Sequence, residues 1–394
     1  MRKFAGLHLY PDTRILNLNL MDRSADIAIV GAGIVGLAHA YMALRKGLKV
    51  VLFEREQFAV GASVRNFGLL WPIGQEPGVE LDRAIRSRNH WFTLAKEAGF
   101  WASANGSLHV VYHEDEWEVL NQFKELYRDA PYQCDLLTPE QVQQHSPVVR
   151  ADGLVGGLLS KTEGTVYSRM AIRRIPEYLE DRFGLIRRFG HVVTEVALPK
   201  VKTPAEEWHV QKVIICSGAD FETLYPEVYQ RHGIVKCKLQ MMKAMPAKPM
   251  RIGPSLCAGL TLRHYAAFRK CATLKQVDER YDSENIDYKK HGVHVLVSQN
   301  EEGELIIGDS HHYGLTLEPF DSEHVNDLIL NYLYTFLKSN SLQITERWNG
   351  TYPKLQGKTH LIDEPEKDVH VVNGLGGAGM TLSFGLAEDI VGAF

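Results

Sequence analysis

The chain has 394 residues, of which 45% are hydrophobic and 23% charged, and its formal net charge is −4. This is the composition of a globular protein of more than one domain, without the basic stripe of a nucleic-acid binder, so no nucleic-acid partner is expected. Its five cysteines (Cys134, Cys216, Cys237, Cys257 and Cys271) are odd in number and never spaced C-x-x-C. They argue against a disulfide framework or a zinc site and fit a reducing, cytoplasmic setting.

Residues 1–25 have neither an apolar core of signal-peptide length nor a small-residue cleavage site, and read as an irregular extension. The apolar stretch Ile27 to Leu44 is interrupted by glycine and histidine. It reads as part of a strand–turn–helix unit rather than a membrane span. In that unit Ile27 to Val30 is a strand, and Gly31, Gly33 and Gly36 stand in G-x-G-x-x-G spacing. A helix then runs to Lys46, and Val50 to Phe53 is a second strand ending in Glu54, 18 residues after Gly36. The first glycine turns the chain off the strand. The second admits a pyrophosphate to the backbone, and the third lets the helix pack on the sheet. The helix N-terminus offers N–H donors to phosphate, and Glu54 can accept hydrogen bonds from a ribose diol while disfavouring a 2′-phosphate. The bland alternative is a glycine-rich turn in an ordinary βαβ unit.

The loop Gly61 to Leu70 is rich in small residues and is suited to lie along a second stretch of a long cofactor. Helices are expected over Asp82 to Ala98, Glu114 to Arg128, Thr138 to about His145 (a capping box) and Arg169 to Asp181. Leu108 to Tyr112, Leu154 to Leu159 and Thr165 to Tyr167 read as strands or turns. Val192 to Leu198 pairs with Glu207 to Val210 as a hairpin, and Val213 to Cys216 is a buried strand. Lys236 to Met245, Thr261 to Phe268, His294 to Ser298 and Leu305 to Gly308 are expected to build an antiparallel sheet. A helix over Asp321 to Leu337 and a turn at Trp348 to Pro353 follow. The strand Val369 to Gly374 then leads through a second glycine-rich turn into a terminal helix ending near Val391.

Four stretches in this order, GAGIVG with Glu54, GASVRNFG, VIICSGA and NGLGGAGMTLSFGLAED, resemble the D-amino-acid oxidase, glycine oxidase and sarcosine oxidase superfamily of FAD-dependent amine oxidoreductases. The resemblance spans about residues 26 to 394. It implies a fold of class α/β plus α+β, with a Rossmann-like FAD domain built from residues 26–80, 150–225 and 355–394. An antiparallel-sheet substrate domain (81–149 and 226–354) is inserted. FAD is the implied cofactor, held by Gly31, Gly33, Ile34, Gly36, Glu54 and Arg55, by Ala62, Ser63, Asn66 and Leu69, and by Val193 (toward the adenine) and Gly218. Gly376, Gly377, Gly379, Met380 and Thr381 complete that set. N–H groups of Ala378 to Thr381 would face the charge of reduced flavin.

GLTLRHYAAF, IIGDSHHYG and WNGTYPKLQG look most like a bacterial clade associated with aminophosphonate breakdown. Tyr352 stands where many members carry an arginine, and Cys216-Ser217-Gly218 replaces Ala-Thr-Gly. With no evident clamp for an α-carboxylate, an ordinary D-amino acid is disfavoured as substrate. Expected substrate contacts are Arg263, His264, Tyr265, His311 and Tyr352, with Lys354 as a further anion binder. Packing is the commoner role for a histidine or tyrosine in such a strand. No catalytic acid or base is singled out, and the absence of H-E-x-x-H spacing gives no reason to expect a metal.

The implied reaction is hydride transfer from a small primary or secondary amine to FAD, imine hydrolysis, and peroxide release if O2 is the acceptor. Two alternatives remain open: a dehydrogenase passing electrons to a quinone or carrier, and a flavin-binding subunit without turnover.

Overall fold

A computed structural model describes residues 23–338 and 342–394. The expected extension falls largely outside those residues. Val50, Val51, Leu52 and Phe53 are fully buried, as are Ile27, Ala28 and Ile29. Runs covered on both faces favour parallel pairing inside a sheet. Ser24–Val30 accordingly lies between Val50–Glu54 and Glu207–Ile215, parallel to both. Ile186–Phe189 extends this sheet on one side. On the other side Val369–Asn373 runs parallel to Val213–Ile215, so the last strand of the chain joins the first. Leu361–Glu366 pairs antiparallel with Val369–Asn373.

The helices Ile34–Arg45 and Gly379–Gly392 pack on this sheet through Leu37, Ala40, Tyr41, Leu382, Phe384 and Leu386. The Val79–Ala98 helix belongs to the same core, with Trp91 and Leu94 fully buried in it and Trp91 Nε1 donating to Met380 O at 2.7 Å. The boundary expected at residue 81 is therefore displaced, because the apolar face of this helix packs on the terminal helix.

The second sheet has nine strands organised on Val235–Pro246. Leu342–Lys354 lies along one side of that strand, and Leu305–Gly308 and His312–Gly314 lie along the other. The sheet continues through Leu296–Gln299, Ser255–Cys257, Ser107–Val111, Gly156–Ser160 and Cys134–Leu137. It is not purely antiparallel: Ser255–Cys257 runs parallel to Ser107–His109. Gly156–Ser160, expected in the cofactor domain, is a strand of this sheet.

Three local expectations are corrected. Thr261 to Phe268 is not a strand but a helical turn, Gly259–Leu262, followed by a 3-10 turn, Ala266–Lys270. A short apolar run does not separate the two by periodicity. Trp348 to Pro353 is not a turn: it lies within the 13-residue strand Leu342–Lys354, which keeps Pro353 at the sheet margin. The hairpin expected of Val192 to Leu198 is a meander, with Lys200–Lys202 between Glu195–Ala197 and Glu207–His209. No helix among the described residues is long and apolar enough to cross a membrane.

Candidate functional site

Gly31 leaves the first strand at φ +101°, and a Cβ there would lie 2.3 Å from Cys216 O. A Cβ on Gly36 would lie 1.9 Å from Gly31 O. Only glycine allows the helix to sit this close to the turn. Gly33 is the N-cap of Ile34–Arg45 and supplies no side chain to it. The missing acceptor comes from the next loop, where Ser63 Oγ accepts Ile34 N–H at 2.9 Å. Glu54 Oε2 accepts Ala32 N–H at 2.9 Å and its Oε1 accepts Glu56 N–H at 3.1 Å, so this acid also braces the glycine turn. Arg55 is ion-paired with Asp220.

These elements wall one groove. Gly31, Gly33 and Ile34 line it with Glu54 and Arg55. Ala62 and Ser63 face it from the loop, Val193 and Gly218 from the opposite wall, and Gly376 and Gly379 from the terminal helix start. Asn66 does not line it. Its amide Nδ2 donates to Ala62 O and Ser63 O, each at 2.9 Å, and its Oδ1 accepts Gly68 N–H at 2.7 Å, so the side chain shapes the loop instead. Leu69 is in the core, and Met380 is buried behind the helix start. Thr381 Oγ1 accepts Trp71 N–H at 2.9 Å. The Ala378 N–H is already bonded to Leu375 O at 3.1 Å, which leaves the N–H groups from Gly379 onward as donors. Gly36 and Gly377 are likewise off the groove wall, the former by its packing role.

Sequence reading missed His191, Ser217 and Asn373 on this wall. Asn373 Nδ2 donates to Gly218 O at 2.9 Å and its Oδ1 accepts Gly374 N–H, fixing both glycine turns to one side chain. A long groove onto which two neighbouring glycine-opened helix N-termini face, with no Cβ where backbone must approach a ligand, fits FAD.

Of the expected substrate contacts, Tyr352 alone lines this groove. Its hydroxyl lies 3.8 Å from where a Cβ of Gly377 would stand. Burial raises its pKa well above the usual tyrosine value, so it remains a hydrogen-bond donor. Behind it, at 6.4 Å between ring centroids, is His311. His311 belongs to a stack: its centroid is 4.9 Å from that of His264 and 5.2 Å from that of His294, while His264 and His294 are 3.9 Å apart. Tyr265 packs edge-on to His264 and against Trp71. Asp309 reaches His294 Nε2 at 3.0 Å and His311 Nε2 at 3.9 Å.

Burial drives His264 and His294 well below the usual histidine value, with neighbouring histidine charge adding to it. It brings His311 down to about 4, against a hydrogen bond to Gly292 O, and it pushes Asp309 well up. His294 and Asp309 were missed because the three histidines lie 30 and 17 residues apart in sequence. The one available signal was Asp309 two positions before His311.

Arg263 is corrected as an anion binder. Its guanidinium pairs with Asp278 at 2.5 Å and Asp282 at 2.8 Å, which holds it away from the stack. Lys354 and Arg269 are different. Lys354 Nζ lies 3.4 Å from where a Cβ of Gly376 would stand. Burial lowers its pKa, and it senses the charge of Arg269. Both cations act on His264, and neither has an ion-pair partner among the described residues.

Comparison with known proteins agrees with this geometry. The chain is 26% identical over 144 residues to a polypeptide of the anaerobic glycerol-3-phosphate dehydrogenase of Escherichia coli, covering 36% of this chain and 26% of that protein. It is 21% identical over 204 residues to monomeric sarcosine oxidase of a Bacillus species, covering 50% of this chain and 52% of that enzyme. The match thus spans between a quarter and about half of these curated relatives. Glycine oxidase from Geobacillus kaustophilus superposes with a TM-score of 0.75 at 19% identity, over 94% of this chain and 95% of that one. Residues 26–392 match the family described as DAO, FAD dependent oxidoreductase. The chain belongs to that family, and its cofactor is FAD.

Proposed function

We propose that this protein oxidises a small primary or secondary amine that also carries an anionic group, and that an aminophosphonate is the substrate class that best matches its charges. The observation that carries this reading is a pair of cations without an ion-pair partner among the described residues: Lys354, which reaches the terminal glycine turn, and Arg269, whose charge acts on Lys354 and His264. FAD, when bound, accepts a hydride from the carbon that bears the amine. The chain's own residues hold the two ends of the substrate. Lys354 and Arg269 bind the anion, and the Tyr352 hydroxyl donates toward the face of the groove where the amine lies.

A carboxylate carries one negative charge and a phosphonate up to two. Two cations, Lys354 partly buried and Arg269 exposed, favour the dianion through charge-assisted hydrogen bonds. Arg263, also a cation, is neutralised by Asp278 and Asp282 and contributes no such contact.

Anaerobic bleaching of the bound flavin tests this reading. The panel is glycine, N-methylglycine, an aminoalkylphosphonate, its N-methyl derivative and ethylamine. The phosphonates are expected to bleach it at the lowest concentrations and ethylamine at the highest. Bleaching by none of them removes the amine reading. A preference for ethylamine removes the anion site. Peroxide formed on re-admitting air separates an oxidase from a dehydrogenase.

A further inference from the structure

Ring nitrogens of His264, His294 and His311 lie within 4.8 Å of one another, close enough to suggest a metal ion. The ring planes argue otherwise. His294 and His311 are 6° from parallel, and His264 is 24° and 23° from them. Imidazole lone pairs lie in the ring plane, so stacked rings send theirs along parallel planes that do not converge on one ion. The same arrangement suits another purpose. The nitrogens of His294 and Asp309 Oδ1 have no aligned hydrogen-bond partner among the described residues, although His294 is 4% and Asp309 5% exposed. Buried polar atoms in this state call for an explanation. His311 Nδ1 lies 2.9 Å from Gly292 O, a group that only accepts, so Nδ1 holds the proton and Nε2 presents a lone pair.

We propose that His264, backed by His294, His311 and Asp309, accepts a proton from the substrate ammonium group, an assignment that rests on the amine reading above. An amine enters mostly as ammonium near neutral pH, because alkylammonium groups have pKa values of about 10. Hydride cannot leave its α-carbon readily while nitrogen lacks a lone pair. In this step one N–H bond of the ammonium breaks and its electron pair stays on nitrogen. One N–H bond forms on the His264 ring, and no electrons change hands. His264 is the ring of the stack that is only partly covered, so in this proposal it is the one open to the substrate. His294, stacked on it at 3.9 Å, and Asp309 beyond are positioning residues that set its proton affinity.

Burial holds all three histidines neutral, which leaves a lone pair to accept the proton and lowers the affinity for it. The groups acting on the stack are Tyr265 and Arg269 on its own segment, and Cys237, which acts on Asp309, on the central strand. His312 and Tyr313 face it from the next strand, and Tyr352 and Lys354 from the long one. Asp309 is the carboxyl among them, and burial pushes it well up, toward its neutral form.

The test is the pH profile of anaerobic flavin bleaching in single turnover, using an aminoalkylphosphonate on flavin-loaded protein. For His264→Asn the rate constant at pH 7 is expected to fall roughly 100-fold. It should recover to within about threefold of wild type near pH 10, where much of the amine is neutral in solution. Asp309→Asn keeps the shape of the site and is expected to move the pH limb without lowering the high-pH plateau. It provides the second arm if His264→Asn does not fold. A wild-type profile in a folded, flavin-loaded variant overturns the proposal, as does a loss of rate that is equal at all pH values. If wild-type protein is bleached by no amine at any pH, the amine reading fails first and this assignment with it.

Discussion

Ser63 Oγ accepts the N–H of Ile34 at 2.9 Å across 29 residues of chain. The first helix of the cofactor unit, capped by a glycine that has no side chain to offer, is thus closed by a loop that follows the second strand. That one bond ties the G-x-G-x-x-G turn to the loop that faces the middle of the groove.

Replacing Ser63 by alanine removes a cap worth about 1 kcal/mol. The expected result is a small drop in melting temperature, about 2–4 °C or less. A five- to tenfold weaker Kd for FAD, on the order of 1 kcal/mol, should accompany it. Titration of apoprotein with FAD reads this directly, and an unchanged Kd would show that the cap is dispensable. Glu54→Ala should weaken FAD retention on dialysis as well, since it removes both the expected ribose acceptor and the brace on Ala32.

Gly36→Ala and Gly61→Ala form a matched pair. The first places a Cβ 1.9 Å from Gly31 O, whereas the second meets nothing within 4 Å. Gly36→Ala is expected to lose about 1–3 kcal/mol and much of its flavin. Gly61→Ala should stay within about 0.5 kcal/mol of wild type. Urea unfolding and the flavin absorbance distinguish them, and equal behaviour would contradict the packing assigned to Gly36.

Lys354→Met is expected to raise KM for anionic amines at least tenfold, in line with about 1.5–3 kcal/mol for a hydrogen bond to a charged group. KM for ethylamine should change little. Arg269→Ala should act in the same direction but less strongly, being more exposed. A uniform change for all amines would assign Lys354 to structure rather than to the anion.

Tyr352→Phe keeps the ring that packs with Cys237, Leu239 and Met241 and removes only the hydroxyl. Flavin content should be retained while turnover and the amine profile change. An identical substrate profile would place Tyr352 outside the site.

His39 and His109 make stability depend on acid. Both are buried, and burial lowers His39 to about 4 and His109 to about 3 from 6.5. Below pH 6.5 the unfolded chain takes up protons that the folded chain refuses, so stability is complete above that pH and falls toward pH 4 and then 3. Each group contributes about 1.4 kcal/mol per pH unit in that window. The two together remove on the order of 5 kcal/mol between about pH 6.5 and 4.5. His109 has neither ring nitrogen partnered among the described residues and lies beside Trp71 and Phe268, so an aromatic replacement is expected to fit. His109→Phe should flatten the decline in melting temperature over that range, and an unchanged slope would refute this account.

The local devices of the cofactor half were determined by the sequence itself. Gly31, Gly33 and Gly36 with Glu54 prescribe a turn, a helix start and an acid within thirty residues, because backbone freedom and helix-terminal donors act at short range. The terminal glycine turn before Gly379 is legible for the same reason. Partnership over long range was not legible. Asn66 and Thr381 could have faced a ligand, and only the folded chain shows their side chains bonded to Ala62, Ser63 and Trp71. Arg263 and Lys354 are both cations in motifs suited to an anion, yet Asp278 and Asp282 neutralise one while the other has no ion-pair partner among the described residues. His264, His294, Asp309 and His311 come from separate segments, and the second sheet alone brings them together. A residue's chemistry is written in the chain, but its free hydrogen bonds and its charge state depend on what the fold places beside it.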